Sequence, residues 1–151
     1  MVDGNQGPSL WARRLGYGGL LPFVVLAVVL WMAGPNDWPL ASRALLAYGA
    51  SIVSFLGAIH WGLVMRESPA QRLPSLIWGV VPGLIGCGAL LLDGTQGLLL
   101  IAGLLWACLA ADRMLYPRFR LQAWLPMRLG LTLGSSSSCV AAAVALSRQV
   151  Q

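Results

Sequence analysis

The sequence predicts an all-α integral membrane bundle of five transmembrane helices. Of its 151 residues, 58% are hydrophobic and only 10% are charged, whereas soluble domains usually carry about a quarter charged residues. Several apolar runs also approach the ~20 residues that a helix needs to cross a bilayer. We therefore expect a single five-helix membrane domain over residues 16–147, preceded by a polar N-terminal tail over residues 1–15.

Five apolar runs give the predicted spans, and polar or proline-containing turns separate them. The first run follows two arginines and resembles a signal peptide, but cleavage after Ala33 or Gly34 would place a large residue where a small one is required. We therefore predict that it remains as the first span. Pro74 is favoured at the start of the third span, and Pro82 predicts a kink within it. The predicted spans cover residues 18–34, 44–65, 74–92, 97–116 and 129–147.

The second span is predicted to be the central helix of the bundle. One face repeats a small residue at every fourth position, which in lipid lets two helix backbones approach closely. A second face holds the only histidine of the chain, His60, together with Val53 and Gly57. The small residues of the first face are Ala50, Ser54, Ala58 and Gly62.

The arginines predict the orientation in the membrane. With five spans, two of the ten basic residues, Arg43 and Arg148, lie on one side and eight on the other. By the positive-inside rule the N-terminus is then inside and the C-terminus outside. Because the arginines fall between apolar runs, the net charge of +5 does not indicate a nucleic-acid partner. The expected partners are the lipid bilayer and either other membrane proteins or further copies of the chain. The inner residues are Arg13, Arg14, Arg66, Arg72, Arg113, Arg118, Arg120 and Arg128.

Two ionisable residues are predicted to lie at one depth of the bilayer. The second and fourth spans run in the same direction, and His60 and Asp112 each stand near the end of one of them. Because ionisable groups in membrane spans usually face the interior or a wet cavity, we predict a pocket of His60, Asp112 and Arg128, with Trp61, Ser75 and Trp78 at the same level. The sequence favours a structural role in which the cluster ties the helices together; a ligand pocket is the next interpretation, and proton transfer or catalysis is the last.

The sequence requires no metal, cofactor or catalytic residue. Cys87, Cys108 and Cys139 lie in apolar runs without CxxC or Cys/His spacing, so they indicate packing residues rather than a disulfide or a zinc site. A transmembrane haem normally takes two axial ligands; with one histidine, only Met65 or Met114 could supply the second, and haem is not expected. Hydrolysis by Ser135 or Ser138 with His60 as the base remains a minor alternative.

Five stretches carry a resemblance to a known family. They are GYGGLLPF (16–23), YGASIVSFLGAIHWGLVM (48–65), PSLIWG (74–79), the Asp112 position and MRLGLTL (127–133). Together they resemble domain of unknown function 3429, a bacterial and mitochondrial membrane family whose animal members include transmembrane protein 69. The resemblance implies a multi-pass protein of the bacterial inner membrane, or of the mitochondrial inner membrane in a eukaryote. Its motif includes Ser54, Gly57, His60, Trp61, Ser75, Trp78, Asp112 and Arg128, without a catalytic role.

Two functions follow as expectations. The first is a non-enzymatic accessory, assembly or scaffold protein that packs against other membrane components, indicated by short loops and small-residue helix faces. The second is a binder or carrier of a small molecule, namely a quinone, a lipid or an anionic metabolite. In that case His60 would act as donor or proton relay, Asp112 would orient it, and Arg128 would hold an anionic group. Ser54, Trp61, Ser75 and Trp78 complete the predicted ligand-binding set.

Overall fold

The computed structural model describes residues 7–32, 34, 36–66 and 72–149, which fold into helices. No strand occurs within those ranges, so the predicted all-α class is confirmed for the part of the chain that they cover. The predicted tail before residue 7 and the polar loop at residues 67–71 lie outside the described residues. The helices are α1 (Leu10–Gly18), α2 (Leu21–Met32), α3 (Trp38–Arg66), α4 (Arg72–Ala89), α5 (Gly94–Leu115) and α6 (Leu125–Gln149), with 3₁₀ helices Tyr116–Phe119 and Gln122–Trp124 between α5 and α6.

Four helical segments are long and apolar enough to cross a membrane. They are Leu10–Met32, which comprises α1 and α2, Trp38–Arg66, Gly94–Phe119 and Gln122–Arg148. A fifth apolar helix, Leu73–Ala89 within α4, is shorter. At 1.5 Å per residue it reaches about 26 Å, against about 30 Å of bilayer hydrocarbon. The chain is therefore a membrane protein in contact with lipid, and all five predicted spans are helical.

The first span contains a break that the prediction lacks. α1 begins at Leu10, where the Ser9 hydroxyl accepts a hydrogen bond from the Ala12 amide at 3.2 Å. Residues 10–15, part of the predicted polar tail, are therefore helical. The chain then turns at Gly19, whose carbonyl accepts a hydrogen bond from the Tyr48 hydroxyl at 2.8 Å. This contact joins the break to α3.

The other predicted bounds shift by a few residues, mostly at helix starts, and α4 ends at Ala89 rather than at residue 92. α3 begins at Trp38 rather than at residue 44, because Pro39 lies in its first turn, where the missing N–H removes no hydrogen bond. α6 likewise begins four residues early, at Leu125, with a proline as its second residue. α4 remains one helix through Pro82, which is buried.

α3 and α5 run parallel, as the sequence predicts. Three pairs of neighbouring residues show it: Leu46 lies against Gly97, Gly49 lies against Ile101, and His60 is hydrogen-bonded to Asp112. Residue numbers rise together in both helices along this series. The two helices therefore carry their C-terminal ends, with His60 and Asp112, to the same end of the bundle.

α3 and α4 pack through glycines, but the face of α3 that they use differs from the predicted one. A Cβ atom on Gly57 would lie 2.6 Å from the Gly79 carbonyl oxygen, so these backbones nearly touch. Two more α4 glycines, Gly83 and Gly86, approach Ser54, Val53 and Ala50 in the same way. Ala58 and Gly62 of the predicted stripe are exposed instead. The prediction was wrong for them, because helical spacing gives the stripe but not which side the neighbouring helix covers.

The core is apolar along most of the bundle, and its buried charged side chains lie at one end. Leu30, Leu45, Leu98 and Ile101 are fully buried within it. The polar end lies where α3 and α5 finish and α6 begins, and it holds the candidate site. Across the described residues, the buried polar or charged side chains are Ser42, His60, Ser75, Asp112, Arg128, Thr132, Ser135 and Ser136.

Candidate functional site

A buried cluster of three ionisable side chains joins α3, α5 and α6. The carboxylate of Asp112 accepts a hydrogen bond from Arg128 Nε at 2.6 Å through Oδ2. Its other oxygen, Oδ1, lies 3.1 Å from His60 Nε2. His60 is 0% exposed, Asp112 is 2% exposed and Arg128 is 7% exposed. The three predicted site residues are thus in direct contact, and we call them the triad.

Local structure explains why these three side chains meet. His60 belongs to the predicted second face of α3, whose members Val53, Gly57 and His60 are all buried. Asp112 lies in the last turn of α5. Arg120 adopts the left-handed conformation, with φ of 54°, between the two 3₁₀ helices. The chain reverses there, which brings Arg128, in the first turn of α6, back to Asp112.

Hydrogen bonds pair only some of the polar atoms of the triad. The Asp112 carboxylate accepts from the guanidinium of Arg128, and His60 donates to it from Nε2. The other ring nitrogen of His60, Nδ1, is buried and has no hydrogen-bond partner. The charges of Arg128 and Asp112 balance each other within the triad.

Among the side chains that the structure describes, two further buried polar atoms lack a hydrogen-bond partner, and both belong to α6. They are Arg128 Nη2 and Thr132 Oγ1. Thr132 is 1% exposed and stands four residues after Arg128, on the same face of the helix. The sequence prediction omitted Thr132. Its spacing from Arg128 is the signal that points to it.

Both residues line an apolar groove between α1, α3 and α6. One part has a volume of about 490 Å³, within the size range of small-molecule sites. A smaller part, of about 180 Å³, adjoins it. Leu15 and Phe55 stand on its walls and are 75% and 62% exposed, so the groove opens at the side of the helix bundle. Arg128 is common to both parts, and Thr132 and Ser135 line the smaller one.

Tyr116 lies between the triad and the groove. Its ring centroid is 6.2 Å from that of His60, its side chain is buried, and it lines the larger part of the groove together with Arg128. His60 and Asp112 do not line either part. Arg128 is therefore the member of the triad that connects the buried ion pair to the groove.

The other predicted site residues lie on the α3–α4 interface. Trp61 Nε1 donates a hydrogen bond to the Leu76 carbonyl at 3.0 Å, and Ser54 donates to the Ala50 carbonyl of its own helix at 2.8 Å. Ser75 is buried and Trp78 packs against the apolar core. None of the four lines the groove.

The residues considered for hydrolysis or haem ligation have other surroundings. Ser135 and Ser138 donate to carbonyls of α6 itself, at 2.8 and 2.9 Å, and neither is hydrogen-bonded to His60. Met65 and Met114 are each 75% exposed. Cys108 and Cys139 are buried in the core, whereas Cys87 is exposed. Within the described ranges, no three His, Cys, Asp or Glu side chains form a group that could hold a metal ion.

Comparison with known proteins gives the family. A family model described as protein of unknown function (DUF3429) matches residues 9–144. Transmembrane protein 69 of Xenopus tropicalis is 37% identical over 112 residues, which is 72% of this chain and 44% of the relative. The chain thus spans less than half the length of that curated relative. No solved structure matches it. The match over most of the chain confirms the resemblance seen in the sequence, and the protein belongs to the DUF3429 family.

Proposed function

We propose that this membrane protein binds a small molecule with an apolar tail in the groove between α1, α3 and α6. The observation that carries the proposal is the groove itself, which has a volume of about 490 Å³, mostly apolar walls and one charged lining residue, Arg128. Arg128 Nη2 is buried behind the wall without a hydrogen-bond partner, and a buried donor without an acceptor costs about 1–3 kcal/mol. The Arg128 side chain therefore gains a partner by turning toward the polar head of a ligand whose tail covers the apolar walls.

The geometry gives each part of the site a different role. The sideways opening admits a molecule dissolved in the bilayer. Arg128 receives the head of the ligand, and Asp112 holds the guanidinium in place from the other side. His60, which is buried beyond Asp112, positions the carboxylate rather than touching the ligand. Quinones and lipids have the required shape.

Photo-crosslinking tests the proposal directly. The purified protein in lipid nanodiscs is labelled with a dodecyl-chain probe that carries a diazirine, and the labelled peptides are identified by mass spectrometry. We expect saturable labelling on groove residues such as Phe55 and Leu131. Ala12→Phe fills the groove and should reduce the labelling, whereas Ala110→Phe, on an exposed position of α5, should not. Labelling spread over Leu84 and Leu99 as heavily as over the groove would reveal only annular lipid and would contradict the proposal.

A second candidate is an accessory or assembly protein that packs with other membrane proteins. The supporting observation is the outward face of α3, where Ala58 and Gly62 are exposed and no atom lies within 4 Å of a Cβ atom built on Gly62. Small residues on a lipid-facing helix permit close approach of another helix. Its test is native purification in mild detergent. A partner that is retained reproducibly and lost in Gly62→Leu would support it, and a lone monomer would count against it.

We propose that all five apolar helices cross the membrane, with the N-terminus inside and the C-terminus outside. The support is the distribution of arginines, eight on the triad side and two on the other, together with the positive-inside rule. The positive-inside rule applies to the bacterial inner membrane and to the mitochondrial inner membrane. We place the protein in the bacterial inner membrane, or in the mitochondrial inner membrane if it is eukaryotic.

A further inference from the structure

We infer that the ligand of the groove is an anionic phospholipid, with one acyl chain along the groove and its phosphate beside exposed arginines at the polar end of the bundle. This inference rests on the proposed binding function and names the class of ligand. Three observations carry it: the direction and length of the groove, the charge around its mouth, and the backbone conformation of Arg120.

The groove runs along the bundle and is about as long as one leaflet is deep. Its larger part is lined near the polar end by Ala12 and Trp124, and its smaller part extends to Phe23 on α2 and Ser135 on α6. The rise along the helix axis from Trp124 to Ser135 is about 16 Å, about half of the ~30 Å of bilayer hydrocarbon. The direction and the length both match an acyl chain of the leaflet at the polar end.

The surface of the polar end is basic. The exposed carboxylates of the described ranges, Asp37 and Asp93, lie beside the starts of α3 and α5, at the opposite end of the bundle. The exposed arginines of the polar end form no ion pair with a carboxylate of the described residues. An anionic head group therefore meets complementary charge at this end only. These arginines are Arg13, Arg14, Arg66, Arg113, Arg118 and Arg120.

Two of the exposed arginines flank the mouth of the groove. Arg13 follows Ala12, which lines the larger part from α1, and Arg120 precedes Leu121, which lines it from the other side. Guanidinium groups bind phosphate through charge-assisted hydrogen bonds. Arg128 lies deeper in the groove, at the level of the ester groups of a lipid whose phosphate is at the mouth.

The backbone of Arg120 points to a requirement for its side chain. Its φ of 54° lies in the left-handed region, and no other residue that the structure describes has a positive φ. Glycine and asparagine adopt this conformation more readily than arginine does. Unfavourable backbone conformations of this kind cluster at functional sites. A phosphate at the mouth would give the exposed guanidinium of Arg120 a partner.

The side chains of α1 favour a lipid over a water-soluble acidic protein as the partner. Leu10, Trp11 and Leu15 are largely exposed on the same short helix as Arg13 and Arg14. The Arg14 guanidinium lies 5.5 Å from the ring centroid of Trp11. Basic and aromatic side chains mixed in this way are typical of the interface between membrane and water. A phospholipid meets both kinds of side chain at once.

Photoreactive phospholipids test the inference. Phosphatidylglycerol and phosphatidylcholine probes carry identical acyl chains with a diazirine, and each is titrated into phosphatidylcholine nanodiscs that hold the purified protein. We expect half-maximal labelling of Phe55 and Leu131 at a concentration at least about ten-fold lower for the phosphatidylglycerol probe, since each arginine near the surface contributes about five-fold. Excess inorganic phosphate at constant ionic strength should not displace it.

The position of the diazirine on the acyl chain tests the direction of the lipid. A diazirine near the ester group should label the larger part of the groove, for example at Met127. A diazirine at the end of the chain should label the smaller part, for example at Phe23. The reverse order would overturn a phosphate at the polar end.

Arg120→Asn is the matched variant, because asparagine tolerates the left-handed conformation and the substitution removes the charge. It should raise the half-maximal concentration of the phosphatidylglycerol probe about five-fold and leave that of the phosphatidylcholine probe unchanged. Arg113→Gln is the control at the same end of the bundle. It lies on α5, which does not line the larger part of the groove, and screening by salt should keep its effect below about two-fold.

The outcomes are distinct. Equal half-maximal concentrations for the two phospholipids would overturn the anionic head group and leave a lipid groove. Equal effects of Arg120→Asn and Arg113→Gln would also overturn it, because the basic end would then attract anionic lipid without a site. Displacement by inorganic phosphate would overturn a phospholipid as the ligand. Groove labelling by the dodecyl probe but by neither phospholipid would overturn the inference alone. Labelling unchanged in Ala12→Phe for every probe would overturn the binding function as well.

Discussion

Arg128 Nε donates to Asp112 Oδ2 across 2.6 Å, at the point where α5 ends and α6 begins, and both residues are almost fully buried. The other oxygen of the same carboxylate reaches His60 on α3. One aspartate therefore joins three helices that are separated in sequence. Because an ion pair in a low-dielectric interior is lost only at high cost, this contact should dominate the stability of the polar end.

Asp112→Ala should destabilise the protein by about 3–5 kcal/mol, because it leaves the Arg128 guanidinium buried without a counter-ion. The measurement is reversible unfolding in detergent with increasing denaturant. Asp93→Ala is the control, since Asp93 caps the exposed start of α5 and its loss should cost only about 1 kcal/mol. A loss below that of the control would show that the ion pair does not hold the helices.

The triple replacement His60→Leu, Asp112→Leu and Arg128→Met should restore much of that stability. Apolar residues of similar volume often match a buried ion pair, since no charge then has to be desolvated; we expect a protein within about 2 kcal/mol of wild type. Labelling of the groove by the diazirine probe should nevertheless fall, because Arg128 is no longer present to receive the head of a ligand. Unchanged labelling in this variant would exclude Arg128 from ligand binding.

Gly57→Ala should destabilise the α3–α4 contact by about 1–3 kcal/mol, the usual cost of overpacking. The new methyl group would lie 2.6 Å from the Gly79 carbonyl oxygen, so the helices would have to separate. Gly62→Ala is a matched control in the same helix. It meets open space and should be neutral or stabilising by up to about 1 kcal/mol. Equal effects at the two positions would contradict the close approach.

Thr132→Val should raise the stability of the ligand-free protein by about 1 kcal/mol, because it removes a buried hydroxyl without a hydrogen-bond partner. Ser135→Ala is the comparison, since its hydroxyl donates to the Leu131 carbonyl at 2.8 Å and its removal should not stabilise. Denaturant unfolding in delipidated detergent measures both. A fall in stability for Thr132→Val would mean that the hydroxyl already has a structural role.

Reporter domains fused to the two ends should appear on opposite sides of the membrane if α4 crosses it. Five crossings give an odd number and four give an even one, so the position of the C-terminal reporter relative to the N-terminal one decides the matter. Reporters on the same side would show that α4, the shortest of the apolar helices, does not span the bilayer.

The sequence predicts the helices and the triad well for the same physical reason. Apolar runs must be helical in lipid to satisfy their backbone groups, and their lengths fix the depth of each residue. Depth and direction alone therefore bring His60 to Asp112, as observed. The break at Gly19 is not predictable in this way, because it depends on the Tyr48 hydroxyl that bonds to its carbonyl.

Side-to-side packing is less accessible from the sequence. Helical spacing places Ala58 and Gly62 on the same face as Ala50. Only the position of α4 determines that Ala50 is covered and that the other two residues are exposed. The groove is harder still to predict from the sequence, because its walls come from three helices. Thr132 was missed because a threonine within an apolar run usually bonds to its own helix, and its spacing of four residues from Arg128 shows a shared helix face but not an unpaired hydroxyl.

The spacing of the ion pair has a consequence for biosynthesis. Asp112 leaves the ribosome sixteen residues before Arg128, so the carboxylate reaches the insertion machinery while its counter-ion is still being made. A lone charge enters hydrocarbon at a high cost. We therefore expect the last two helices to enter the bilayer as a hairpin in which Arg128 neutralises Asp112 before the pair packs against His60 on α3.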